Sequence, residues 1–264
     1  MAKVRLDKLL LERGMVPSRE RAAGLILAGR VLSNEQKITK AGASVDEDSA
    51  VRILGEQMPY VSRGGLKLRG ALDRWDIHLD GRYCVDVGAS TGGFTDCMLQ
   101  AGAAGVLAVD TGYGQIAMSL RNDPRVRLME RTNARLLPAG ALLEQARQQS
   151  SMVSSTVPDF FAMDVSFISA TLVLPAVVRS LAGPGEQWSG SGVVLVKPQF
   201  EAGREWIGKG GIVRDPQAHT LAIERVRAAV SDLGGLTRDV AESPITGAEG
   251  NREFLLLCHF GGSV

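Results

Sequence analysis

Two groups of residues in this 264-residue chain have the types and spacing to do chemistry. The first is a glycine-rich turn, Asp86-Val87-Gly88-Ala89-Ser90-Thr91-Gly92-Gly93-Phe94-Thr95-Asp96, directly after the apolar run Tyr83-Cys84-Val85. A backbone that bends sharply or lies against a ligand needs glycine, which has no Cβ. A second apolar run, Gly105-Val106-Leu107-Ala108-Val109, ends in Asp110. That carboxylate follows the turn by roughly 20 residues, the distance at which it reaches the hydroxyl pair of a ribose. The second group sits at the ends of later apolar runs: Asp164 after Phe160-Phe161-Ala162-Met163, and Lys197 after Val193-Val194-Leu195-Val196. The carboxyl ends of parallel strands are where open α/β sheets bind ligands, so both should share the sheet edge of the glycine turn. Lys67 and Glu253 are the further charged candidates. Lys67 lies on a different helical face from Leu68 and Leu72, and Glu253 stands near the start of the last apolar run.

Other chemistries find no support. A dinucleotide fingerprint wants Gly-x-Gly-x-x-Gly, and Ser90 stands where the second glycine belongs. No Gly-x-x-x-x-Gly-Lys-[Ser/Thr] loop occurs. Cys84, Cys97 and Cys258 form no Cys-x-x-Cys pair, and His78, His219 and His259 form no spaced cluster. No disulfide framework or metal site is expected, and a reducing compartment fits. Hydrophobic residues are 45% and charged residues 22% of the chain, as in soluble globular proteins. The start, Met1-Ala2-Lys3-Val4-Arg5, runs into charge rather than an apolar signal core. No run approaches the ~18 apolar residues of a membrane span.

The elements that must hold these residues follow from periodicity. Leu6, Leu9 and Leu10, then Ala22, Leu25 and Ile26, recur at helical spacing, with Gly14 placed to close the first helix and Ser18 to cap the second. Strands are expected at Gly29–Leu32 and Ala50–Leu54. Gly55-Glu56-Gln57-Met58-Pro59-Tyr60 reads as a connector. Beyond it, Ser62 can cap a helix carrying Leu66, Leu68, Ala71, Leu72 and Trp75. Tyr83–Val87 and Gly105–Val109 are strands, and Thr91 or Thr95 can cap the helix after the turn. A third strand precedes Glu130, residues 145–157 read as a polar low-complexity loop, and Phe160–Ile168 holds the next strand, ending at Asp164. A helix begins through Leu172–Val178, Val193–Phe200 is a very apolar strand, Gly203–Asp215 reads as a flexible lid, a helix runs through Leu221, Ile223 and Val226, and Asn251–Leu257 is the closing strand.

Formal net charge is only +1, so any nucleic-acid contact must come from a local patch. Residues 1–40 supply one, with nine Lys and Arg against four Asp and Glu. This segment resembles the ribosomal S-four-type RNA-binding domain in Arg5-Leu6-Asp7, Gly14, Ser18-Arg19, Ala22, Ile26, Gly29-Arg30-Val31, Lys40 and Val45. The resemblance implies that the second helix presents arginines to RNA phosphates, with Arg5, Arg19, Arg21 and Lys40 as candidates. Ser33-Asn34-Glu35-Gln36 departs from the family's Asn-Gly turn and puts an acid at its tip. Phosphate contacts position RNA and carry little sequence information.

The remainder resembles the FtsJ-type ribose 2′-O-methyltransferases, and most closely their TlyA branch. The stretches that carry the match are Ser62-Arg63-Gly64-Gly65-Leu66-Lys67-Leu68, the turn Asp86–Asp96, Val109-Asp110, Leu120–Val126, Glu130-Arg131-Thr132-Asn133-Ala134-Arg135, Asp164-Val165-Ser166-Phe167-Ile168-Ser169, Lys197-Pro198-Gln199-Phe200-Glu201 and Gly250-Asn251-Arg252-Glu253. The resemblance implies a Rossmann-like α/β class I S-adenosylmethionine (SAM) dependent methyltransferase domain at residues 63–264. A small α+β RNA-binding domain occupies 1–58, with a linker at 59–62. It implies SAM as cofactor, with Gly88, Gly92 and Phe94 at its methionine end, Ser90 and Gly93 as further cofactor contacts, Asp110 at the ribose, Thr132 or Asn133 at the adenine, and Asp86 orienting the turn or the amino group. Arg63 joins the RNA-binding candidates.

The same resemblance makes Lys67, Asp164, Lys197 and Glu253 the catalytic set. A ribose 2′-hydroxyl is a weak acid and must lie in line with the S–CH₃ bond. Ammonium groups beside it stabilise its developing negative charge. Burial or a second ammonium favours a neutral lysine able to accept the proton, and a nearby carboxylate favours the charged form. Lys197 is expected as base or activator, Lys67 and Glu253 as orienting the hydroxyl, and Asp164 as holding the lysines and facing the sulfonium. The implied substrate is a cytidine of ribosomal RNA, in the large subunit and in some members also the small one. The chain ends, close to the first helix and just past Leu257, lean toward the large subunit alone. The implied setting is cytoplasmic, with ribosomal RNA or subunits as partner, no metal, no membrane, and a monomer. Two rivals are a membrane-active haemolysin, the label this branch often carries, and a non-catalytic RNA-binding assembly factor.

Overall fold

Leu6, Leu9 and Leu10 fall on one side of a short helix because residues three and four apart are neighbours on a helical surface. The computed structural model describes residues 3–54, 58–148, 157–183 and 185–261. It divides into two units, Met1–Met58 and Pro59–Val264. In the first, β1 (Lys3–Arg5) leads into α1 (Leu6–Glu12) and α2 (Arg19–Leu27) follows. The leucines of α1 pack against Ala22, Leu25 and Ile26 of α2 and against Val16, Val31 and Val45. Gly14 ends α1 at φ +66°, its N–H donating to the Leu11 carbonyl, and Ser18 Oγ accepts the Arg21 N–H at the start of α2. The strands are β2 (Val31–Ser33), β3 (Gln36–Ile38), β4 (Ser44–Asp46) and β5 (Val51–Ile53), paired as β3-β2-β5 and β1-β4. Asn34 and Glu35 both have positive φ, the geometry of a two-residue hairpin turn. The acid at that tip is matched: Arg52 Nη2 donates to Glu35 Oε2 at 2.7 Å.

The second unit runs α3 (Gly64–Arg74), β6 (Tyr83–Val87), α4 (Gly93–Gln100), β7 (Gly105–Val109), α5 (Met118–Arg121), β8 (Val126–Met129), α6 (Ala141–Gln148), β9 (Phe160–Met163), α7 (Ala170–Leu181), β10 (Gly190–Val196), α8 (Pro198–Glu201), α9 (Pro216–Asp232), β11 (Gly235–Glu242) and β12 (Phe254–Phe260). Its sheet has the order β11-β12-β10-β9-β6-β7-β8. The five strands from β10 to β8 are parallel, and β12 is antiparallel to both β10 and β11. Helices cover both faces. Leu142, Leu174, Val177 and Val226 belong to one core, and Leu68, Leu72, Met98 and Leu120 to the other. Strands buried on both sides read as unbroken apolar runs, which is why Tyr83–Val87 and Gly105–Val109 were legible. The fold is the expected Rossmann-like α/β arrangement.

Several local expectations change. Residues 145–148 are the last turn of α6 rather than loop, because Leu142, Leu143 and Ala146 bury on one helical face. Residues 149–156, read as loop, lie outside the described residues, as do residues 55–57 of the connector. The strand through Phe160 ends at Met163, and the chain turns away at Phe167 with φ +64°. The strand through Val193 ends at Val196, where Lys197 becomes the first boundary residue of α8. Ser62 caps nothing: Arg63 precedes α3 and no side chain caps it. The Gly203–Asp215 segment carries two short 3-10 turns. It is tied down by Asn251, whose Oδ1 accepts the Val213 N–H (2.9 Å) and whose Nδ2 donates to the Gly211 carbonyl (3.0 Å).

Candidate active site

The site is built at the point where the winding of the sheet reverses. From β6 the chain crosses to β7 and β8 on one side, then returns to β9 on the other, opening a crevice beyond the carboxyl ends of β6 and β9. Gly88 follows β6 and Asp164 follows β9, so they meet there. Gly88 has φ +88°, and a Cβ on it would overlap the Asp164 carbonyl. Only glycine allows this approach of two backbones.

Four charged side chains converge on the crevice from four elements. Lys67 comes from α3, Asp164 from the end of β9, Lys197 from the end of β10 and Glu253 from the start of β12. Lys67 Nζ lies 2.6 Å from Glu253 Oε2 and 3.9 Å from Asp164 Oδ2. Lys197 Nζ lies 2.5 Å from Asp164 Oδ1 and donates to Ser166 Oγ at 2.7 Å. The charges alternate along the chain Glu253, Lys67, Asp164, Lys197. Buried charges persist only when paired and hydrogen-bonded, and this alternation satisfies each neighbour in turn. Lys67, Lys197 and Glu253 are all buried. The four line one cavity of about 460 Å³, together with Arg63 and Phe94.

A second cavity of about 390 Å³ adjoins it and is lined by Asp110, Thr132 and Asn133. Gly88, Ser90, Asp164, Ser166 and Phe167 line both, so Asp164 stands at the partition. Asp110 accepts the Ser90 N–H at 2.7 Å and the Gly112 N–H at 2.6 Å, which fixes its carboxylate in place. Asn133 Oδ1 accepts the Arg135 N–H, and Thr132 Oγ1 donates to the Glu130 carbonyl. Phe167 is 92% exposed and lies tilted beside Phe200, ring centroids 5.7 Å apart.

Not every expected ligand residue reaches a cavity. Gly93 and Phe94 line the lysine cavity, while Gly92 at φ +93° backs onto Leu120 and Ile116. Asp86 is wholly buried beneath the turn. Its Oδ2 accepts the N–H (2.8 Å) and the hydroxyl (2.6 Å) of Thr95, so Asp86 holds the start of α4, the job expected of Thr91 or Thr95. Burial pushes this carboxyl up to about 7, and Oδ1 has no hydrogen-bond partner among the described residues. Sequence reasoning missed Ser166, which has no role of its own within the stretch Asp164–Ser169. Its signal is position: two residues past Asp164 on the same exposed loop.

The FtsJ-like methyltransferase family matches residues 60–260, and the S4 domain matches residues 4–51. The chain belongs to the FtsJ-like methyltransferase family. Among relatives, YqxC of Bacillus subtilis is 45% identical over 260 residues, covering 98% of this chain and 87% of its own. The 16S/23S rRNA (cytidine-2'-O)-methyltransferase TlyA of Mycobacterium tuberculosis is 41% identical over 255 residues, covering 96% of this chain and 89% of its own. A solved structure from Streptococcus thermophilus, titled a hemolysin, superposes with a TM-score of 0.70 at 41% identity and covers 100% of this chain and 90% of its own. As an FtsJ-like methyltransferase the chain needs a methyl donor, and its crevice fits a nucleoside one. Asp110 offers a fixed acceptor for a hydroxyl pair on the wall of the second cavity. Among the described residues no group of three or more His, Cys, Asp or Glu could hold a metal ion.

In the S4 unit, Arg5 and Arg19 share one carboxylate. Arg5 Nη2 is 2.8 Å and Arg19 Nη2 3.2 Å from Asp7 Oδ2. The Arg5 guanidinium beside Asp7 draws its carboxyl down to about 2. Both arginines still expose half their side chains, and Arg21 and Lys40 are exposed. Arg63 stands in the other unit, on the rim of the lysine cavity, donating to the Thr246 carbonyl at 3.2 Å.

Proposed function

We propose that the chain transfers the methyl group of SAM to the ribose 2′-hydroxyl of a cytidine in ribosomal RNA. The observation that carries this is the alternating Lys67, Asp164, Lys197, Glu253 chain set between two adjoining cavities. The name of the Mycobacterium tuberculosis relative, 41% identical, supports the cytidine and the 2′-oxygen. Asp110, Thr132 and Asn133 would hold the nucleoside part of SAM, with Gly88 and Ser90 along the way to the partition. SAM supplies an electrophilic methyl carbon on a cationic sulfur.

The residues of the chain do the rest. Lys67, held by Glu253, orients the hydroxyl and counters the charge that grows on its oxygen. Lys197 takes the hydroxyl proton as the oxygen–carbon bond forms, and the sulfur keeps the electron pair of the bond it loses. Asp164 fixes both lysines and faces the positive charge on sulfur. Phe167, exposed at the rim of both cavities, offers a face on which a base can stack. The S4 unit supplies phosphate contacts through Arg5, Arg19, Arg21 and Lys40, with Arg63 beside the cavity. Ribosomal subunits in the cytoplasm are the setting this reading requires.

The test is tritiated methyl transfer from SAM to unmethylated ribosomal subunits, wild type beside Lys197→Ala. Label at a cytidine 2′-O with wild type alone supports the reading, and the labelled subunit tells whether one or both are substrates. Absence of SAM binding sinks it. The Streptococcus thermophilus structure bears a hemolysin name, and a membrane-damaging protein needs a segment that enters the bilayer. No helix among the described residues is long and apolar enough to cross a membrane. Leakage of liposomes by the purified protein without SAM or RNA would favour that reading instead.

A further inference from the structure

We infer that Ser166 is a positioning residue for the transfer, acting through Lys197. The inference rests on the reading above that Lys197 acts on the hydroxyl. A lysine nitrogen has three positions besides its bond to Cε, and the group turns freely about that bond unless its neighbours stop it. Here one is taken by the hydrogen bond to Ser166 Oγ at 2.7 Å, and Asp164 Oδ1 flanks the nitrogen in an ion pair at 2.5 Å. Among the described residues no third protein acceptor is within reach of Nζ. The side chain is 8% exposed and lines the cavity, so one position is left to meet a substrate.

This matters for either form of the lysine. A neutral amine has two N–H bonds and one lone pair. With one N–H held by Ser166 and the nitrogen drawn against Asp164, the lone pair is directed to the remaining position, where it accepts the hydroxyl proton. An ammonium uses that same position to donate to the oxygen as its charge grows. With Asp164 alone, the nitrogen keeps one anchor and rotates between productive and unproductive orientations. Orientation of this kind enters the barrier for the chemical step and not the binding of either substrate.

The loop that carries Ser166 is itself held. Ser169 Oγ donates to Glu201 Oε2 at 2.5 Å, and the Ala170 N–H donates to Glu201 Oε1 at 2.6 Å. Glu201 lies on α8, the short helix that begins after Lys197. The serine and the lysine it orients are therefore fixed to each other from both ends. Nothing in the side chain's own packing requires a hydroxyl there, since Ser166 is exposed to both cavities.

The experiment compares wild type, Ser166→Ala and Ser166→Thr in steady-state methyl transfer to RNA, with SAM and RNA varied separately and thermal unfolding measured in parallel. The expected result for Ser166→Ala is a fall in kcat of about tenfold with both KM values within about twofold and an unchanged unfolding midpoint. Ser166→Thr keeps the hydroxyl and restores kcat to within about threefold of wild type. An unchanged kcat in Ser166→Ala overturns the inference. So does a raised KM at constant kcat, which makes Ser166 a ligand contact, and so does a failure of Ser166→Thr to rescue when its unfolding midpoint is that of wild type. Wild type inactive on RNA fails the functional reading itself, an outcome distinct from an active wild type that Ser166→Ala matches.

Discussion

Lys67 Nζ meets Glu253 Oε2 at 2.6 Å although the two residues are 186 positions apart, and both side chains are nearly closed off from solvent. Removing one member of such a pair leaves the other buried and uncompensated. Lys67→Met is expected to destabilise the fold by on the order of 3 kcal/mol, and adding Glu253→Leu to recover much of that loss. Neither variant should transfer methyl groups. Urea unfolding beside methyl-transfer assays checks both, and recovery of activity along with stability would place the pair outside the chemistry.

Asp110 makes a separate prediction, because its carboxylate is fixed by two backbone N–H groups and lines the second cavity. Asp110→Ala removes an acceptor from the expected ribose position. SAM affinity should fall about tenfold, roughly 1.4 kcal/mol, while RNA affinity holds. Calorimetric titration with SAM reads this directly. Equal SAM binding by the variant would put the nucleoside elsewhere.

The buried carboxyl of Asp86 ties stability to pH. Burial raises it to about 7, so between the ordinary carboxylate range and about 7 the folded chain holds a proton that the unfolded chain has lost. The stability this proton brings is complete below about 4 and is lost as pH rises through about 7. Asp86→Asn keeps an acceptor for Thr95 and cannot ionise. Thermal unfolding of the two proteins from pH 5 to pH 8 should show wild type falling relative to Asp86→Asn, and parallel curves would refute the shift.

For the S4 unit the readout is salt. Arg21→Ala and Lys40→Ala should each lower the slope of log affinity for RNA against log salt by about 1. Arg5→Ala should do the same and also lower the unfolding midpoint, because Asp7, whose side chain is 7% exposed, then keeps Arg19 alone as a guanidinium partner. Filter binding across a salt series with thermal unfolding separates the two effects. An unchanged slope in all three would take RNA off this face.

What the sequence determined by itself was local. The glycine turn after Tyr83–Val87, the carboxylate at Asp110 and the helices of the S4 unit each depend on residues close in the chain, where periodicity and caps act. Strands buried on both faces are unbroken apolar runs and were legible for that reason. The half-exposed edge strand β11, with its bulge between Thr237 and Asp239, has no such run and was not foreseen. The four charged candidates could be named by resemblance, yet Lys67 read alone is a surface lysine. Only tertiary structure decided that it is buried, because its partner arrives from β12, beyond every helix of the unit. The same holds for Asp86, turned under the loop to take the Thr95 N–H, and for Ser166, whose place beside Lys197 depends on β9 and β10 lying parallel and adjacent. A sheet brings strand ends together without regard to their separation in sequence, so the pairing of charges at its edge is written in topology and not in any one stretch of chain.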